Sequence, residues 1–60
     1  MNMKLAVSIW NVSVKDEFKP VSYNGYKTKK EAIQFVEDWN KKHDLQVEVI
    51  KYVSGKWNRV

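Results

Sequence analysis

The sequence predicts an α+β domain: a four-stranded antiparallel sheet with connectivity β-β-α-β-β and strand order 2-1-3-4, with one helix packed on one face. Three observations lead there. Thr28-Lys29-Lys30-Glu31 is a capping box, and it opens a stretch whose apolar residues recur at helical spacing. Runs that alternate with period two lie on both sides of it, Leu5 to Ile9 before and Leu45 to Val49 after, the latter continued with mixed parity by Ile50, Tyr52 and Val53. Ser54-Gly55 then separates the later run from "KWNRV", which makes that pair a hairpin.

Leu5, Val7 and Ile9 alternate with Lys4, Ala6 and Ser8 as in a half-buried strand, after which Trp10, Val12 and Val14 occupy the other parity. A bulge, or a strand apolar on both faces, accounts for the slip. "KDE" at 15–17 reads as a polar turn and "FKPVSY" at 18–23 as a second strand. Pro20 cannot donate to a ladder, so that strand belongs at an edge. Asn24-Gly25 turns the chain into the helix. In the helix Ala32, Ile33, Phe35, Val36, Trp39 and His43 share one side, and Gln34, Glu37, Asp38 and Lys41 the other. Leu45, Val47 and Val49 begin a third strand, and the residues after Gly55 a fourth. Returning the chain over the sheet by way of the helix makes the first and third strands central.

Sixty residues make one small domain, 1–60, with one core. A chain of this size buries only about 60% of its unfolded surface. With no cysteine, neither a disulfide nor a thiolate metal site supplements the packing. Chemistry has little to work with: there is one histidine, and Gly25 and Gly55 are the only glycines, so no glycine-rich phosphate loop exists. His43 ends the apolar stripe, where a helix C-terminus welcomes a cation. Glu37 and Asp38 are adjacent on the helix and diverge by about 100°, which does not make a cooperating carboxylate pair. No catalytic residue, metal ligand or cofactor is expected. "MNMKLAVSIWNV" lacks the uninterrupted apolar core of a signal peptide, and no run approaches the roughly 18 apolar residues of a membrane span. A cytoplasmic protein is the expectation.

The net charge is +4, unevenly placed. Acids gather between residues 31 and 48, whereas six lysines precede them. All basic residues but Arg59 are lysines, which suit phosphate contact as point charges and not bidentate reading of guanine. Lys27, Lys29 and Lys30 surround the helix start, where unpaired backbone N–H groups favour an anion. They are the candidate nucleic-acid-binding residues, and the binding they imply is indifferent to sequence. A second candidate surface comes from parity. Trp10, Val12, Ile50 and Tyr52 read as facing away from the helix, an aromatic patch that a second copy, another protein or stacked bases would cover.

"GYKTKKEA", at 25–32, resembles the segment in which arm-type DNA-binding domains of phage integrases pass from their sheet to their helix, and the likeness extends over residues 18–40. The resemblance implies DNA contact, which in that family is made mainly through a three-stranded sheet. Size and composition also suit the small proteins of phages and mobile elements. Two function classes emerge: a non-enzymatic protein that touches nucleic-acid phosphates, and a protein-interaction module that dimerises or acts as inhibitor or adaptor of a host protein.

Overall fold

A computed structural model describes residues 8–60; the alternation expected at Leu5 and Val7 lies outside the described residues. Strand β1 (Trp10–Val14) is followed by helix α1 (Lys29–Lys42), then strands β2 (Val47–Val53) and β3 (Lys56–Arg59). The sheet is antiparallel with order β1-β2-β3. It therefore has three strands, not the expected four, and the order differs accordingly.

The missing strand is the one containing Pro20. Residues 15–25 still run beside the outer edge of β1, with Val21 N–H donating to Val12 C=O at 2.9 Å and Tyr26 N–H to Trp10 C=O at 2.9 Å. No continuous ladder forms. Pro20 offers no N–H, and Asp16 and Phe18 adopt φ of 72° and 56°, which breaks the extended backbone. Two side chains of β1 take over the pairing. Asn11 Oδ1 accepts from Ser22 N–H at 3.1 Å and its Nδ2 donates to Ser22 C=O at 2.9 Å, while Ser13 Oγ accepts from Lys19 N–H at 2.9 Å. Both residues are wholly buried, which is tolerable because their polar atoms are satisfied.

Helix α1 begins where the capping box places it. Thr28 has extended backbone and its hydroxyl accepts from Glu31 N–H at 3.2 Å. Lys41 and Lys42 sit in the last turn, where the dipole favours cations. The helix stops at His43, whose N–H donates to Trp39 C=O at 3.0 Å before the backbone extends. Asn40 then grips the first residue of β2: its Oδ1 accepts from Val47 N–H at 2.9 Å and its Nδ2 donates to Val47 C=O at 3.1 Å. Ser54 and Gly55, with φ of 54° and 83°, make the tight β2–β3 turn, a type I′ pattern that matches strand twist.

The core lies between α1 and the first two strands. Val12, Ala32 and Val47 are buried there, with Tyr26, Phe35, Val36, Trp39 and Val49 packed around them. Along the helix the rings form a column, Tyr26 to Phe35 at 5.9 Å, Phe35 to Trp39 at 5.9 Å and Trp39 to His43 at 3.8 Å. His43 thus stacks on Trp39 and is itself exposed. Helix α1 touches β1 and β2 and does not reach β3.

Candidate functional site

Lys27, Lys29 and Lys30 are all exposed around the first turn of α1. Every ion pair among the described residues is made by Arg59, so none of these lysines is matched to a carboxylate. Thr28 occupies Glu31 N–H; the reciprocal bond from Glu31 back to the cap is not among the hydrogen bonds of the described residues. The arrangement is three ammonium groups around a helix terminus whose own field also attracts anions.

The four residues expected to form one open patch do not share a face. Trp10 lies opposite Lys51 and Val12 opposite Val49, on the helix side of the sheet. Val12 is fully buried against α1, which corrects its expected outward orientation. The phase that begins at Trp10 is the helix-facing one, and the buried residues between, Asn11 and Ser13, face away from the helix. Ile50 does point to that far side, opposite Asn11, but it is fully buried and so contributes no exposed surface. Trp10 is half-buried, with Lys51 Nζ 5.0 Å from its ring centre. Tyr52 alone of the four is broadly exposed; it meets Trp57 edge-on at 5.1 Å on the far side of the β2–β3 hairpin.

A charged cluster that the sequence did not announce closes the far face beside them. Arg59 donates to Glu48 Oε1 at 2.6 Å and also pairs with Asp16, whose N–H donates to Glu48 Oε2 at 2.7 Å. The guanidinium lies 5.2 Å from the centre of the Phe18 ring. The hydrogen bond from Arg59 holds the Glu48 carboxyl below its usual range, against the opposing effect of burial, and the same bond raises Arg59. These residues are far apart in the chain and come from two strands and a turn, so periodicity carried no sign of them.

On the helix side a groove of about 370 Å³ opens between α1 and the part of the sheet where β2 begins and β3 ends. Lys29, Ile33 and Val36 form its helix wall, and Val47, Val49 and Val60 its sheet wall, with the paired Glu48 and Arg59 at its margin. Ile33, expected on the packed face, is partly exposed here because no part of β3 lies beneath it. Among the described residues no group of three or more histidine, cysteine, aspartate or glutamate side chains is arranged to hold a metal ion. Nor, among them, is any helix long and apolar enough to cross a membrane. Comparison with protein-family models, with curated proteins and with solved structures finds no match to this chain.

Proposed function

We propose that this chain is a non-enzymatic binding domain that contacts nucleic-acid phosphates through Lys27, Lys29 and Lys30. The observation that carries the reading is the trio of exposed ammonium groups with no carboxylate partner at the N-terminus of a 14-residue helix. Lysine at these positions is mildly unfavourable in isolation, by about 0.3 kcal/mol each, and an anion reverses the sign. The likeness of residues 18–40 to integrase arm-type domains favours DNA as the polyanion. Recognition through point charges discriminates little between sequences.

The test is a titration of labelled duplex and single-stranded oligonucleotides at several salt concentrations. Affinity falls with salt on a log-log line whose slope counts the phosphates neutralised, and it depends little on base sequence. Replacing Lys27, Lys29 and Lys30 by glutamine flattens that slope. No binding at low salt removes the reading and leaves the lysines as solvated surface.

A second reading rests on the exposed Tyr52 and its neighbour Trp57, an aromatic pair of the kind that anchors protein contacts. It makes the chain a protein-interaction module, with a second copy among the occupants that suit a symmetric contact. Sedimentation at micromolar concentration, repeated with Tyr52→Ser, separates this reading from the first.

A further inference from the structure

We infer that the outer edge of β3, together with the groove beside it, takes an extended acidic segment of a partner protein as a fourth strand. The edge is open: among the described residues β3 has β2 on one side and no strand on the other. The tight turn fixes which backbone groups face outward. In a type I′ hairpin the residues flanking the turn, Val53 and Lys56, bond to each other, and pairing alternates from there. Lys56 and Asn58 therefore bond inward to β2, and the N–H and C=O groups of Trp57 and Arg59 point away from the sheet.

The groove supplies what the edge lacks. Side chains of a strand laid against β3 alternate between the two faces of the sheet. One row enters the space between α1 and the sheet, where Ile33, Val36, Val49 and Val60 offer an apolar lining that the helix leaves uncovered. The other row lies beside Trp57. Main-chain bonds and alternate side-chain pockets together are the ordinary means by which an edge strand selects a peptide.

Charge chooses the occupant. Glu48 and Arg59 also line the groove, but they are paired with each other, whereas Lys29 on the groove wall and Lys56 at the start of β3 have no carboxylate partner among the described residues. No acid occurs on β3 itself. A second copy would bring another lysine-bearing edge, and lysine on an edge strand is a common guard against self-pairing. A strand with apolar residues at alternate positions and aspartate or glutamate at its ends satisfies the lining and the lysines together.

The experiment uses a fluorescein-labelled eight-residue peptide with valine at alternate central positions and aspartate at both ends. Two further peptides carry N-methyl groups on every second amide, one in each phase, so that the two match each other in charge and apolarity and differ only in which edge has lost its donors. The expected result is measurable binding that weakens about tenfold or more for one phase and little for the other. On binding, hydrogen exchange slows at the amides of Trp57 and Arg59. Ile33→Ser, at a partly exposed position and without a change of charge, weakens the peptide and leaves oligonucleotide binding unchanged, which separates this proposal from the phosphate reading. Equal binding of all three peptides shows charge attraction alone and overturns the proposal. So does a dimer in which the Trp57 and Arg59 amides are already protected without peptide, since a second copy then holds the edge.

Discussion

Asn11 does the work of a strand residue with its side chain. Its amide accepts from Ser22 N–H and donates to Ser22 C=O, while its Oδ1 also accepts from Val12 N–H at 2.8 Å, all in a fully buried position. Removing a buried partner leaves such groups unsatisfied at a cost of about 1 to 3 kcal/mol. Asn11→Ala is expected to lower stability by about 2 kcal/mol in urea unfolding and to speed hydrogen exchange across residues 18–23. Gly25 has a comparable constraint. Its φ is +75°, and a Cβ there would meet the Trp10 carbonyl oxygen at 2.8 Å. The sequence showed Asn24-Gly25 as a turn, but not the close approach to β1 that makes the glycine necessary. Asn11 and Ser13 were likewise visible as polar residues in an apolar run, with nothing local to say that a loop 11 and 6 residues later, respectively, would need them.

The elements were most legible where the signal is local. Thr28 and Glu31 set the helix start, and Ser54-Gly55 set the hairpin, because caps and tight turns depend on neighbours a few residues apart. Thr28→Ala is expected to cost about 1 kcal/mol, read as a fall in the urea midpoint with an unchanged m-value. The far wall of the helix was misjudged for a reason of width. Its apolar stripe runs from Ile33 through Trp39, wider than the two strands it covers, so Ile33 opens onto a groove instead of packing. Strand faces were harder still. Period two gives alternation but not which phase meets the helix, and in β1 that choice is settled by α1 and by the loop beneath Asn11 and Ser13. The expected second strand failed because Pro20 removes a donor and because two neighbours have positive φ.

At the scale of the whole molecule, Arg59, Glu48 and Asp16 join the end of the sheet to the turn after β1. Glu48 is the member whose titration matters. Its folded carboxyl lies below the ordinary value of 4.5, so the pairing contributes fully above that pH and is lost as acid carries the solution down through the lower folded value. Thermal melts between about pH 5 and 3 should therefore show falling midpoints, and Glu48→Gln should start lower at neutral pH and fall less over that interval. The grip of Asn40 on Val47 has another consequence, for the order of assembly. It welds the helix to the hairpin over a span of seven residues, whereas pairing β1 with β2 closes a loop of more than thirty. Closing the long loop costs more chain entropy, so α1 and the β2–β3 hairpin can form a nucleus to which β1 and residues 15–25 dock last. The same order run backward makes β1 and its loop the first unit to detach, leaving the helix and hairpin standing behind it.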